Sequence, residues 1–123
     1  MALEHEALTE RIIGAAIEVH RRLGPGFLES VYEKALIIEL RKRGLAVQDQ
    51  MEVIIGYDGE EVGRHRIDLF VEDTIVVDLK AIKNLEDIHF AVVRSQLEAV
   101  GRQHGLLLNL AKTTLEPKQV FAS

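Results

Sequence analysis

At Gly44 the hydrophobic period of this chain changes, and that change limits the folds open to it. Before it, Leu8, Ile12, Ala15, Ala16, Val19 and Leu23 fall three and four residues apart, which predicts an amphipathic helix over about 3–23. Gly24-Pro25-Gly26 ends that helix. A second helix is predicted over about 27–43, with a stripe of Leu28, Val31, Tyr32, Ala35, Leu36 and Leu40. Arg41, Lys42 and Arg43 sit at the negative end of its dipole. Beyond Gly44 the apolar residues begin to alternate, as strands require. Segments 46–56, 61–71 and 74–81 read as an antiparallel meander, joined by Tyr57-Asp58-Gly59 and by a tip at Glu72-Asp73. Helical spacing returns over 87–102, before Gly105. Residues 105–111, GLLLNLA, form a continuous apolar run suited to a strand buried on both faces. The segment 115–121 carries Pro117 and belongs at a sheet edge. The order αα-βββ-α-ββ predicts an α/β sandwich with a mixed sheet, in a single domain over 1–123.

Composition removes several functions. The 123 residues include no cysteine, which excludes disulfides, thiolate metal sites and cysteine nucleophiles. No tryptophan occurs and aromatics make up 5%, leaving few platforms for stacking unpaired bases. No apolar run approaches the roughly 18 residues of a membrane span, and the acidic start, MALEHEALTERI, does not read as a signal peptide. The expectation is a soluble, cytoplasmic protein with no membrane partner. A net charge of −5 argues against a constitutive nucleic-acid coat but leaves room for acids that hold a cation. His5, His65, His89 and His104 make no metal-ligand spacing, and His20 reads as a helix-dipole cap.

Five polar residues from four elements, Asp68, Asp78, Lys80, Glu29 and Gln96, carry the chemistry. Asp78 and Lys80 share one face of the third strand, opposite Ile75, Val77 and Leu79. Alone, such a pair is commonly a cross-strand ion pair. Asp68 lies on the preceding strand. If Val71 pairs with Ile75 across a three-residue tip, Asp68 comes directly opposite Asp78; a two-residue tip would put them on opposite faces. Opposed carboxylates repel unless a cation lies between them, and their oxygens suit Mg²⁺ or Mn²⁺. Lys80 at the rim could orient or deprotonate a water, or steady charge on phosphorus. Glu29, in the first turn of the second helix, shares a face with Tyr32, Glu33 and Leu36 and is aimed toward the sheet if that face is buried. Gln96 sits on an apolar stripe with Val93 and Val100. Arg66 is placed on the face of Asp68 and Phe70 and is the candidate for a phosphate contact.

Gly26-Phe27-Leu28-Glu29-Ser30-Val31-Tyr32 reads GxxExxY, and Asp68, Asp78-x-Lys80 and Gln96 follow. Over about residues 8–121 the chain resembles the GxxExxY family, which is assigned to the PD-(D/E)xK, or restriction-endonuclease-like, superfamily. The resemblance implies an αβββαβ core, a mixed sheet flanked by helices, with a metal site at a fork of the meander. It implies that Asp68, Asp78 and Glu29 are metal-binding acids, that Lys80 is the catalytic lysine, and that Gln96 is the glutamine several branches carry on the next helix. The chain departs from the pattern at Asp78, often Glu in relatives, at Val100, where many relatives carry Tyr, and at Ile67, which replaces the proline.

The expectation is a Mg²⁺- or Mn²⁺-dependent nuclease acting on DNA or RNA, as a homodimer. Two rivals are a non-catalytic nucleic-acid- or protein-binding module that keeps the fold, and a structural protein in which the acids and lysine form only an ion network.

Overall fold

The structure, a computed structural model, describes residues 5–123. Two helices, α1 (Glu6–Leu23) and α2 (Glu29–Lys42), precede strands β1 (Val47–Tyr57), β2 (Glu60–Val71) and β3 (Ile75–Lys80). Helix α3 (Asp87–Val100) then leads to β4 (His104–Asn109) and β5 (Glu116–Phe121). The part of the first predicted helix before residue 5 lies outside the described residues. The five strands form one sheet in sequence order, antiparallel except for the β3–β4 pair. The sheet is therefore mixed, and α3 is the crossover that a parallel pair needs.

Helices occupy both faces. Ile12, Ala15, Tyr32, Leu36 and Leu40 of the helix pair pack on Leu69, Val77, Leu79, Leu106 and Leu108. On the other face, Val93 and Leu97 of α3 pack on Ile67, Phe70, Val76 and Leu107. Leu106, Leu107 and Leu108 thus send alternate side chains into both cores and are fully buried, as the continuous apolar run predicts. Gly105 lets α3 approach closely: a Cβ there would lie 2.8 Å from Val93 Cγ1. β5, with Pro117, is an edge strand.

Two tight turns set the register of the meander. Asp58 and Gly59, then Glu72 and Asp73, all have positive φ, which lets the chain reverse tightly at each tip. The second pairs Val71 with Ile75, leaving Glu72, Asp73 and Thr74 between them. Of the two registers open from sequence, this is the one that sets Asp68 opposite Asp78.

Three expectations are corrected. Helix α3 ends at Val100, not 102, because Gly101 takes the left-handed cap (φ 70°) and Gly105 is inside a strand. The His20 ring bonds the Lys112 carbonyl (2.8 Å) rather than capping its helix. Phe70 does not share a face with Arg66, because strict alternation fails in β2 between Ile67 and Leu69. Ile67 and Phe70 join the core under α3, whereas Leu69 and Val71 join the core under the helix pair. The break falls at Asp68.

Candidate active site

The GxxExxY segment has a local mechanical logic. Gly24 (φ 70°) and Gly26 (φ 110°) take backbone conformations open to glycine. The loop they make is tied down by Tyr32, fully buried one turn into α2. Its hydroxyl donates to the Gly24 carbonyl (2.6 Å) and accepts from the Phe27 N–H (3.3 Å). Helix α2 thereby starts at Glu29, whose side chain is directed to the end of β3. There Glu29 Oε2 accepts from the Ala81 N–H (3.1 Å).

β2 and β3 separate where the acids lie. Their pairing runs from Val71–Ile75 to Leu69–Val77 and stops. At the next position Asp68 Oδ2 accepts from the Leu79 N–H (3.0 Å), a place that a β2 carbonyl would take in a continued ladder. Further on, Asn109 accepts from the Ile82 N–H (3.2 Å) and donates to its carbonyl (2.9 Å). The fork is therefore held open by side chains: Asp68, Glu29 and Asn109 satisfy backbone groups that strand pairing leaves vacant.

Asp78 stands at the base of the fork, 4% exposed. Lys80 Nζ is 3.3 Å from its Oδ2, near enough for charge attraction but not aligned for a hydrogen bond, so that buried oxygen lacks a hydrogen-bond partner. Burial, and next the charge of Asp68, push the Asp78 carboxyl from 3.8 up to about 7, against the opposing pull of Lys80. Burial works against the Lys80 charge, yet Asp78, with Glu29 and Asp68, holds its pKa above the usual lysine value. Lys80 is thus an ammonium at neutral pH in the metal-free protein.

The residues fit a divalent cation. A buried carboxylate oxygen with no aligned hydrogen bond, whose near cation Lys80 at 3.3 Å does not offset burial and the charge of a second carboxylate, is an anionic place that a further cation would relieve. The donors are hard oxygens. Among the described residues no group of three or more His, Cys, Asp or Glu could hold a metal ion, so Glu29 is not drawn in with Asp68 and Asp78 as a third ligand. Mg²⁺ does not need a third, since it commonly binds through one or two carboxylates, waters and substrate phosphates.

The structure thus brings Asp68, Asp78, Lys80 and Glu29 to one fork. Gln96 is 3% exposed on α3; its amide donates to the Arg66 carbonyl (3.4 Å), and its Oε1 is buried without a hydrogen-bond partner. Arg66 is exposed, and no hydrogen bond or ion pair engages its guanidinium among the described residues. Sequence reasoning missed Asn109 and the contact of Glu33 with Gln50. Asn109 had a signal: it is the one polar residue of the apolar run 105–111, and in the sheet it pairs in register with Lys80. Glu33 had a weaker one, lying one turn from Glu29 on the same face of α2.

The profile described as the PD-(D/E)XK nuclease superfamily matches residues 6–120. Two solved structures share the fold at 13% identity each. One is the crystal structure of SSO0001, with a TM-score of 0.63 over 96% of this chain and 59% of that one. The other is an alkaline exonuclease (LHK-Exo) from Laribacter hongkongensis, with a TM-score of 0.56 over 92% of this chain and 70% of that one. The present chain spans about three fifths of the length of the first. No curated protein matches it. A profile match over nearly the whole chain, on a mixed sheet that those structures share, makes this protein a member of the PD-(D/E)XK nuclease superfamily.

Proposed function

We propose that this protein is a divalent-metal-dependent phosphodiesterase that hydrolyses nucleic acid, in a single nuclease-like domain of the GxxExxY type. The observation that carries the reading is the Asp68–Asp78 pair at an opened fork, with a buried Asp78 oxygen that lacks a hydrogen-bond partner. Asp68 and Asp78 would hold Mg²⁺ or Mn²⁺, with Glu29 at the rim. When bound, such an ion supplies Lewis-acid stabilisation of phosphoryl oxygens and a more acidic water. Lys80, held as the ammonium, orients the attacking water or steadies the charge that grows on the phosphate, and of the roles open to it from sequence these two suit its protonation state. Glu29 holds the Ala81 backbone, which follows Lys80 directly, and so fixes where the lysine leaves the strand. Gln96 presents its buried Oε1 as an acceptor behind β2. Arg66 is the free cation on the strand that carries Asp68 and is assigned to a substrate phosphate.

The test is cleavage of labelled single- and double-stranded DNA and RNA with Mg²⁺ or Mn²⁺. Wild type is expected to cut at least one of them and to stop on adding EDTA. Asp78→Ala and Lys80→Ala are expected to lose about hundredfold or more in rate. Equal, metal-independent rates in all three proteins would rule the assignment out.

A further inference from the structure

Gln50 lies inside β1 with φ 52°, a left-handed conformation that a non-glycine residue keeps only when its surroundings enforce it. The ladder lapses at the same point. Asp49 pairs with Leu69 and Met51 with Ile67, but Gln50 and Asp68, which face each other between them, do not pair. Both strands change faces across the lapse. Val47 joins the core under the helix pair and Met51 the core under α3, just as Leu69 and Ile67 do on β2. Helix α2 reaches Gln50 at this point: the exposed Gln50 Nε2 donates to Glu33 Oε1. Glu33 lies within the electrostatic reach of Asp68, Asp49 and Glu29, and burial and those charges raise its pKa. One face of α2 therefore grips both walls of the fork. Glu29 holds Ala81 beyond β3, and Glu33 holds Gln50 in β1.

We propose that Glu33 and Gln50 are positioning residues whose hydrogen bond maintains the left-handed turn of β1, and that this turn keeps Asp68 out of the β1–β2 ladder and directed at β3. With regular extended backbone at Gln50, the ladder would run through Asp68. Strict alternation would then carry its side chain to one face of the sheet, away from the Leu79 N–H. The inference rests on the metal-site reading for its functional consequence, while its structural part concerns the free protein alone.

Both parts are tested with wild type, Glu33→Ala, Gln50→Val and the exchanged pair Glu33→Gln/Gln50→Glu. The first readout is hydrogen exchange of the Leu79 amide, whose acceptor is Asp68, with the Leu106 amide as a check on the core. The second is the Mn²⁺ dissociation constant. Each single variant is expected to speed Leu79 exchange by about tenfold and to weaken Mn²⁺ binding about tenfold, with Leu106 still protected. The exchanged pair restores a donor facing an acceptor and is expected to recover both. Gln50→Gly, which takes positive φ without strain, is expected to lose less than Gln50→Val. Should Gln50→Val fail to fold, Glu33→Ala against the exchanged pair decides the matter. Unchanged Leu79 exchange in Glu33→Ala would overturn the clamp. So would an exchanged pair that folds but does not recover, because Glu33 would then act as a ligand in its own right. Wild type that binds no Mn²⁺ would instead overturn the metal reading, and Leu79 exchange would still decide the clamp.

Discussion

Asp78 is a destabilising residue in the metal-free protein. Its carboxyl titrates at about 7 when folded and near its ordinary 3.8 when unfolded. Between those pH values the folded chain keeps a proton that the unfolded chain has released. Stability from this group is therefore complete below about pH 4 and is lost as pH rises toward 7. At about 1.4 kcal/mol per unit the loss is at most about 4 kcal/mol. Urea denaturation in EDTA at pH 5 and pH 8 checks this. Wild type should lose a few kcal/mol across that range relative to Asp78→Asn, which carries no titrating group there. Parallel profiles for the two proteins would show that Asp78 is not strained as a free carboxylate. A saturating divalent ion should reverse the trend, since it rewards the charged form.

At the scale of elements, the GxxExxY segment is a tether for α2. Tyr32→Phe leaves the Gly24 carbonyl and the Phe27 N–H without their partner and should cost about 1–3 kcal/mol. It should also loosen the start of α2, so that turnover falls through Glu29 although Tyr32 is not itself among the proposed ligands. Thermal melting together with cleavage rates reads both, and a variant as stable and active as wild type would refute the tether. Most of this architecture was legible in the sequence, because the element types follow from a change of hydrophobic period. The facing of Asp68 and Asp78 followed from one local quantity, the tip between Val71 and Ile75. What could not be read was the face of Phe70. Gln50 has no sequence mark of a left-handed residue, since its conformation is imposed by Glu33 from another element. Alternation counted along β2 alone therefore carries the wrong parity past Asp68. Asn109 was hidden for a related reason: its task, holding Ile82, exists only once β3 and β4 are paired.

For the whole molecule the problem is charge. On the proposed function, a chain of net charge −5 must bring a polyanion to two carboxylates. The cations at hand would be the ion proposed for the fork, Lys80 and Arg66, with Lys83 and Arg94 exposed beyond β3. Nucleic-acid binding should therefore need the divalent ion and fall with added salt along a shallow slope, because few phosphates are contacted. Arg66→Ala should weaken binding while leaving metal uptake intact, as measured by fluorescence anisotropy across a salt series. Tight binding in EDTA would assign recognition to another surface and make the acids an ion network without catalytic use.

The central claim is that the fork holds a divalent ion between Asp68 and Asp78. Calorimetric titration of Mn²⁺ into wild type and into Asp78→Asn tests it most directly. Wild type should take up the ion and gain thermal stability, by about 2.7 kcal/mol at a hundredfold excess over the dissociation constant, and Asp78→Asn should do neither. Absence of binding to wild type, or equal binding to both proteins, would contradict the account.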